Sequence, residues 1–372
     1  MDLGFTEEQE AVREAVQQIM EGPASQETLI RIQFNETGFV PEIWEALIEG
    51  GWTGIAVPDE FGGTGASLSE AAVVFEEFGA GPLPQIFAVA LSISPLLVLE
   101  LGTDEQKADL LGRMVEGEIR ATVAVNERGS SWAARDLQTV LTPTAGGFTL
   151  SGEKMNVLDA LGATHAFVAA RRADTGELAI VLVDLSAPGV QAERLDGFTS
   201  WENRLVLDGV AIDASAVLGE GDAREGFDRA TLQAVPLIAS YQVGSAHAAY
   251  KLALEYSRTR VQFGQLIGRF QRVQDHVIEA INAVDSARWL TYELVWRMEN
   301  DKPGIRAAQH VTKWVTAESH WTACIFSHET HAGVGADMQY GLAKHTYLSH
   351  SLLHLLGSPA QHREQFAEAM GW

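Results

Sequence analysis

Hydrophobic residues in the first part of the chain recur at the spacing of an amphipathic helix. Val12, Val16 and Ile19 fall on one face of a segment that begins with Thr6 and Gln9, a pair suited to a helix N-terminal capping box. Similar patterns predict further helices around residue 44 and over residues 67–78, 91–101 and 103–117. Residues 1–118 are therefore predicted to form an N-terminal helical domain.

The pattern changes near residue 120, where apolar residues begin to occur in short runs separated by Gly, Pro and Asp. These runs predict strands over residues 121–125, 137–141, 147–153, 166–171, 178–184, 189–194 and 205–210. Several strands without helices between them indicate an antiparallel barrel or sandwich. The polar, glycine-rich stretch 218–226 then closes the predicted middle β domain, residues 119–222.

Long helical patterns return from Phe227 onward. They cover residues 228–259, 270–299, 304–327 and 341–370, and Pro303 and Gly304 mark one of the joins. Four long helices with short joins are typical of a helix bundle. The predicted fold class is α+β, with an N-terminal helical domain, a middle antiparallel β domain and a C-terminal four-helix bundle over residues 223–372.

The composition excludes several classes of protein. The 372 residues carry a net charge of −24, so neither nucleic acid nor an anionic membrane is an expected partner. No apolar run reaches the about 18 residues of a membrane-spanning helix. The N-terminal residues lack the features of a signal peptide, which makes the cytoplasm the expected location.

Neither cysteine nor histidine indicates a metal site. Cys324 is the one cysteine, which excludes an intramolecular disulfide and a cysteine-cluster metal centre. His345, His350 and His354 share a helix face only loosely, and no carboxylate completes a set of ligands. No metal is predicted, and these histidines are expected to line an interface or a pocket.

The most informative stretch is the end of the predicted helix 228–259. Arg258 and Arg260 stand in its last turn, the chain breaks at Phe263, and a new helix begins near Gln271. Clustered arginines suit an anion, because a guanidinium presents a planar fork of donors to phosphate oxygens. The simpler alternative is a helix end with a cation in its last turn and a glycine stop at Gly264. The spacing alone leaves both interpretations open.

The longer string over residues 256–274 decides between them. It reads Tyr-Ser-Arg-Thr-Arg-x-Gln-Phe-Gly-Gln-x-Ile-x-x-Phe-Gln-x-Val-Gln and resembles the signature of the acyl-CoA dehydrogenase family, at the start of its C-terminal helical domain. The stretches 56–65, 150–155, 207–212 and 217–220 resemble other parts of the same family, in the same order. The resemblance thus covers essentially the whole chain and implies the three-part fold described above.

The resemblance also implies a cofactor, a substrate and contact residues. The family binds FAD and removes the α-proton of an acyl-CoA thioester with a glutamate, while the β-hydrogen leaves as hydride to the flavin. Arg260, Phe263 and Gln271 match residues that reach the FAD of a neighbouring subunit. Glu329 and Gly333 match residues at the adenine end of that FAD, although the family usually has glutamine at the position of Glu329.

The chain departs from the family where the chemistry takes place. The two positions where the family places its catalytic glutamate correspond to Leu356 and Ala234, and neither side chain accepts a proton. The flavin-contacting stretch 126–132 keeps Glu127 and Gly129 but carries Trp132 in place of a small hydroxyl residue. The ring-packing pattern Lys-x-Trp-Ile-Thr reads Lys-Met-Asn-Val-Leu over 154–158, so its aromatic and its threonine are missing.

These departures predict the degenerate subunit of a hetero-oligomeric acyl-CoA dehydrogenase, one without catalytic residues of its own. Its expected partner is a homologous subunit that carries the catalytic glutamate, and the pattern is similar to bacterial α2β2 enzymes, some of which act on steroid side-chain CoA thioesters. Two alternatives stay open. The chain is an active homotetrameric dehydrogenase with an unrecognised base, for which Asp228 and Glu225 are the nearest carboxylates, or it is a non-enzymatic assembly subunit.

Overall fold

The computed structural model describes residues 4–32, 35–129, 132, 134, 136–198 and 201–372. The first part of the chain is helical, as predicted. The helices are α1 (Glu7–Glu21), α2 (Gln26–Ile32), α3 (Pro41–Glu49), α4 (Leu68–Ala80), α5 (Gln85–Leu91), α6 (Ile93–Leu101) and α7 (Asp104–Val115). Capping boxes at Thr6, Ser67 and Thr103 start α1, α4 and α7, because each side chain accepts a hydrogen bond from the backbone three residues on.

The seven predicted strands form one sheet. They are β1 (Ala121–Ala124), β2 (Val140–Thr144), β3 (Gly147–Leu158), β4 (His165–Arg172), β5 (Leu178–Asp184), β6 (Val190–Arg194) and β7 (Glu202–Ile212). The order is β1-β4-β2-β3-β7-β6, with β5 paired to β4. Most pairs are antiparallel as predicted, but β1 and β2 lie one after the other along the same edge of β4, and both run parallel to it.

The C-terminal part is helical again. It contains α8 (Arg224–Thr259), a two-stranded hairpin β8 (Val261–Gln262) and β9 (Gln265–Leu266), then α9 (Gln271–Glu299) and α10 (Ile305–His331). The single helix predicted over 341–370 is wrong. The chain forms α11 (Leu342–Leu353) and α12 (Pro359–Met370), and between them Leu356 and Gly357 have φ angles of 64° and 114° that a right-handed helix does not allow.

Close backbone packing fixes α8 against the N-terminal helices. A Cβ atom added to Gly79 of α4 would lie 1.8 Å from the carbonyl oxygen of Tyr241, and one added to Gly244 of α8 would lie 1.8 Å from that of Glu76. The largest apolar core joins these helices to β1 and to the segment around Leu355. The sheet and the C-terminal segment therefore meet over a shared core, and the candidate site lies between them. No helix in the described part of the chain is both long and apolar enough to cross a membrane.

Candidate functional site

A cavity of about 450 Å³ lies between the sheet and the segment that follows α11. The sheet side supplies Asn126, Glu127, Asn156, Leu158 and Glu202, and the helical side supplies His350, Ser351, His354, Leu355 and Ser358. His350 and His354 thus line a pocket, as the sequence predicted, whereas His345 is buried inside the bundle, where its Nδ1 lies 2.8 Å from the hydroxyl of Ser245. Within the described ranges, no three histidine, cysteine or acidic residues come together as metal ligands.

Glu202 is a buried carboxyl group on the cavity wall. Glu202 is the first residue of β7, and its carboxyl group accepts a hydrogen bond of 2.6 Å from the Nδ2 atom of Asn156 on β3. Burial raises the pKa of Glu202, although the hydrogen bonds with Asn156 and Ser351 partly offset the increase. The group therefore holds a proton more readily than an exposed glutamate does.

Glu127 lies on the same wall of the cavity, and its pKa is shifted in the opposite direction to that of Glu202. Burial alone would raise its pKa, but hydrogen bonds from Lys154 at 2.7 Å and from the backbone amides of Gln138 and Thr139 outweigh burial and lower the pKa overall. Burial lowers the pKa of Lys154 to about 8, which still leaves this lysine charged at neutral pH. Glu127 is thus a fixed anion that anchors the turn after β1 to β3.

Two further residues of the flavin-contacting stretch have contrasting surroundings. The Oδ1 atom of Asn126 is buried and has no hydrogen-bond partner among the described residues, so the cavity holds an unused acceptor. Trp132 is buried, donates from Nε1 to Thr231 at 3.3 Å and stacks on Phe227 of α8 at 6.1 Å. Trp132 therefore fills space between the sheet and α8. Ser130 and Ser131 of this stretch lie outside the described residues.

The structure leaves both expected base positions without a titratable group. Leu356 is 2 % exposed and contributes only its carbonyl oxygen, which accepts a hydrogen bond from His362 at 2.9 Å. Ala234, on α8, is fully buried in the largest apolar core. Asp228 lies beside Leu356 in a separate cavity of about 80 Å³, and Glu225 is exposed and pairs with Arg229 at 2.7 Å. Neither of these carboxylates lines the larger cavity.

The predicted cofactor-contacting residues lie together at one end of the bundle. Helices α8, α9 and α10 alternate in direction, so the C-terminus of α8, the N-terminus of α9 and the C-terminus of α10 share that end. Arg260, Gln271, Glu329 and Gly333 are all exposed there. The Oε2 atom of Glu329 lies 2.8 Å from Nδ1 of His276, a contact that joins α10 to α9.

Arg260 and Phe263 are presented to solvent. Arg260 caps the C-terminus of α8, and its guanidinium has no hydrogen-bond or ion-pair partner within the described part of the chain. Phe263 is 93 % exposed at the tip of the β8–β9 hairpin. We call Arg260, Phe263, Gln271, Glu329 and Gly333 the bundle-end surface. None of its residues lines the 450 Å³ cavity, so one chain offers a cavity and an exposed surface at separate places.

Comparison with known proteins decides the family. The model of the acyl-CoA dehydrogenase N-terminal domain matches residues 6–118, and that of the C-terminal domain matches residues 232–371. The chain belongs to the acyl-CoA dehydrogenase family. This assignment confirms the predicted family and fold class, and it identifies an oxidoreductase family of flavoproteins whose cofactor is FAD.

Related sequences and solved structures match nearly the whole chain. Acyl-CoA dehydrogenase FadE28 of Mycobacterium tuberculosis is 29% identical over 98% of this chain and 97% of its own length. A variant of the steroid acyl-CoA dehydrogenase Tcur3481–Tcur3483 is 27% identical with a TM-score of 0.84 over 98% of both chains. The ChsE4–ChsE5 complex of Mycobacterium tuberculosis is 22% identical with a TM-score of 0.87, over 100% of this chain and 99% of its own, and shows the shared fold.

The larger cavity fits the flavin ring of this family in size but only partly in contacts. A cavity of about 150 Å³ holds one benzene ring, so 450 Å³ has room for three fused rings. The unpartnered Oδ1 atom of Asn126 would accept a hydrogen bond from a ring N–H. However, Asn156 and Leu158 supply neither the aromatic face nor the hydroxyl group expected at their positions.

The sequence did not single out Glu202 or Asn126 as functional residues. The one local feature of Glu202 is that a charged residue stands next to the apolar run 205–210. A solvent-exposed strand end has the same pattern, so this feature does not indicate burial. Glu202 faces α11 in the folded chain and bonds Ser351 of that helix, and such packing between distant parts of the chain leaves no local pattern.

Proposed function

We propose that this chain is the non-catalytic partner subunit of a flavin-dependent acyl-CoA dehydrogenase. In this proposal it supplies Arg260, Phe263, Gln271, Glu329 and Gly333 to the FAD of a homologous subunit that carries the catalytic glutamate. The observation that carries the proposal is the buried Leu356 at the position of the base, together with Ala234 at the alternative position. Residues 1–118, 119–222 and 223–372 are the proposed domains.

The reaction of the family explains why this observation matters. FAD, when bound, accepts the hydride from the β-carbon of the acyl thioester. The protein must remove the α-proton, and a desolvated carboxylate with a raised pKa suits that weak carbon acid. Leu356 and Ala234 have no group that could take the proton, so in this proposal the base comes from another chain.

The bundle-end surface supports a role in trans. Arg260 is exposed and unpaired in a chain of net charge −24, where acidic side chains are abundant. An unpaired guanidinium has both of its N–H edges available to a pyrophosphate. Because this surface does not line the chain's own cavity, a dinucleotide that contacts it would have its flavin ring in a neighbouring subunit.

The names of two similar structures support a pair of unlike chains. The ChsE4–ChsE5 complex and Tcur3481–Tcur3483 each combine two named chains, and the second is described as a steroid acyl-CoA dehydrogenase. By analogy, we propose a steroid side-chain CoA thioester as one substrate of the assembled enzyme. Membership of the family supports an acyl-CoA thioester as the class of substrate. The steroid side chain is proposed from the similar structures alone.

The decisive experiment locates the base by subunit. The chain is co-expressed with a homologous subunit that has glutamate at the position of Leu356, and dehydrogenation is measured with an artificial electron acceptor. Replacing that glutamate by glutamine in the partner should abolish turnover. Asp228→Asn and Glu202→Gln in this chain should leave turnover within a factor of a few, and loss of activity in either variant would refute the non-catalytic role.

Glu202 motivates a second candidate function, an active dehydrogenase with an unrecognised base. Its carboxyl group lines the cavity and its pKa is raised, as a base for a carbon acid requires. Against this role, Glu202 lies on β7 and is held by hydrogen bonds with Asn156 and Ser351, and the family places its base at neither this strand nor this position. Acyl-CoA dehydrogenation by the lone chain, abolished by Glu202→Gln, would favour this second function.

A further inference from the structure

A second cavity, of about 160 Å³, lies between α2, the turn before α5, the loop after β6 and α11. Its walls are mainly apolar and consist of Leu29, Ile32, Pro82, Leu83, Pro84 and Leu348, with Trp201 and Tyr347 beside them. It shares no lining residue with the 450 Å³ cavity. A ligand in this cavity would therefore touch none of the residues that line the larger one.

Lys344 contributes a charged group to this apolar cavity. The residue is 8 % exposed, and its ammonium has no hydrogen-bond or ion-pair partner in the described ranges. Burial lowers the pKa of Lys344 to about 7. Partial burial of an unpaired ammonium in mainly apolar surroundings is costly, because no protein acceptor replaces the water that it loses.

The other buried lysines of the described chain show how this protein normally satisfies such groups. Lys154 pairs with Glu127 at 2.7 Å. Lys313 donates to the carbonyl oxygens of Leu352 and Leu353 at 3.4 and 3.2 Å, at the C-terminus of α11. Lys344 has no comparable contact in the described ranges, so its ammonium is left to solvent or to a ligand that enters the cavity.

A second cation faces the same cavity. Arg194, the last residue of β6, lines it and is exposed, and its guanidinium has no partner among the residues that the structure describes. Two unpaired cations around one apolar cavity are unusual in a chain with 50 acidic and 26 basic residues. Their joint field favours an anion, and a guanidinium fork suits a planar carboxylate.

We propose that this cavity binds a small apolar monocarboxylate, with its carboxylate against Lys344 and Arg194 and its body against the apolar walls. The size limits the ligand, because about 150 Å³ is enough for a benzene ring and too little for a nucleotide or a long acyl chain. Benzoate has the required charge, shape and volume. Dispersion contacts with Leu83 and Leu348 would hold the ring, while the two cations select the acid over a neutral analogue.

The test is binding of benzoate to the purified full-length chain, measured by calorimetry and by ligand-observed NMR. Benzyl alcohol is the neutral analogue, Lys344→Met keeps the length of the side chain without its charge, and Lys251→Met on an exposed lysine of α8 is the control. Wild type and Lys251→Met should bind one benzoate saturably. Lys344→Met should weaken benzoate binding by about tenfold or more. Benzyl alcohol should bind weakly, and with equal affinity, to the wild type and to both variants.

Two results would overturn the proposal. One is the absence of saturable benzoate binding to the wild type, and the other is equal benzoate affinity in the wild type and Lys344→Met. Thermal unfolding without ligand checks that the variant is folded, and Lys344→Met should be at least as stable as the wild type, because it removes an unpaired buried charge. Arg194→Met, on the exposed rim, should weaken benzoate less than Lys344→Met does.

Discussion

Replacing Phe263 by asparagine should separate the stability of the chain from its assembly. Phe263 and Gly264 form a two-residue hairpin turn in which both φ angles are positive, 51° and 77°. That is the pattern of a type I′ turn, for which Asn-Gly is a preferred sequence. A phenylalanine at this position is unfavourable for two reasons: its backbone is in the left-handed region, and its ring is 93 % exposed to solvent. Apart from an edge-to-face contact with Phe270, binding to another surface is the reason that we infer for this ring at the hairpin tip.

The magnitudes can be worked from the structure. A left-handed conformation costs a non-glycine residue roughly 1–2 kcal/mol, and asparagine relieves part of that. The lost edge-to-face contact with Phe270, at 6.1 Å, costs about 0.5–1.5 kcal/mol, with the lower end appropriate for an exposed pair. The gain from relieving the backbone strain and the loss of the ring contact nearly cancel. The unfolding free energy of the lone chain should therefore change by less than about 1 kcal/mol. Burying a phenylalanine at an interface contributes about 1.5–3 kcal/mol, so assembly should weaken by roughly tenfold to a hundredfold.

Both effects are measurable on the same preparation. Urea unfolding of the lone chain reports its stability, and sedimentation of the co-expressed pair over a concentration series reports assembly, with flavin absorbance as a second readout. Phe270→Ala, in which the exposed ring of Phe263 is kept, is the control for the lost ring contact. A large fall in stability with unchanged assembly would refute the reasoning and make Phe263 a structural residue of the hairpin.

Three further changes have defined outcomes. Arg260→Ala should release FAD from the assembled enzyme, with affinity lower by about one to two decades, because a bidentate charge-assisted contact contributes roughly 1.5–3 kcal/mol. Glu127→Gln should destabilise the chain by about 3–5 kcal/mol at neutral pH in urea unfolding, because it leaves the buried Lys154 without its anion. Gly244→Ala should lower stability by about 1–3 kcal/mol in the same assay, because its Cβ would lie 1.8 Å from the backbone oxygen of Glu76.

Two of these changes have a control variant within the chain, and Glu127→Gln is checked by its dependence on pH. Arg272→Ala, on the exposed start of α9, should leave FAD in place, and Arg260→Lys should recover only part of the binding. Gly112→Ala should be tolerated, because no atom lies within 4 Å of its added Cβ. The pKa of Glu127 is lowered by folding, so its contribution is present above its unfolded value and is lost as pH falls. The cost of Glu127→Gln should therefore shrink below about pH 4, and a constant cost would contradict the ion pair.

Local signals made much of the fold predictable. The helix predicted over 67–78 is α4, because the capping residues Ser67 and Glu70 fix its start within a single turn. Helix α5 was not predicted, because all seven of its residues are buried and it has no amphipathic period to detect. The parallel pairing of β1 with β4 depends on contacts across more than 40 residues, which no local pattern reports.

The parts of the candidate site that belong to a sequence motif were predictable. The parts formed by packing between distant segments of the chain were not. The motif predicted that Arg260 and Phe263 lie at a corner between helices, and the structure places them there. The break at Leu356 was missed because leucine rarely adopts a positive φ, so the sequence favours an unbroken helix there. The unpaired state of Lys344 is likewise a property of the packed cavity and has no signature along the chain.

The most direct test of the central claim is the FAD content of the chain alone and of the chain purified with its homologous partner. The account predicts little FAD and no acyl-CoA dehydrogenation for the lone chain, and one FAD per pair of unlike chains in an active complex. Near-stoichiometric FAD in the lone chain, or one FAD for every chain in the complex, would contradict it.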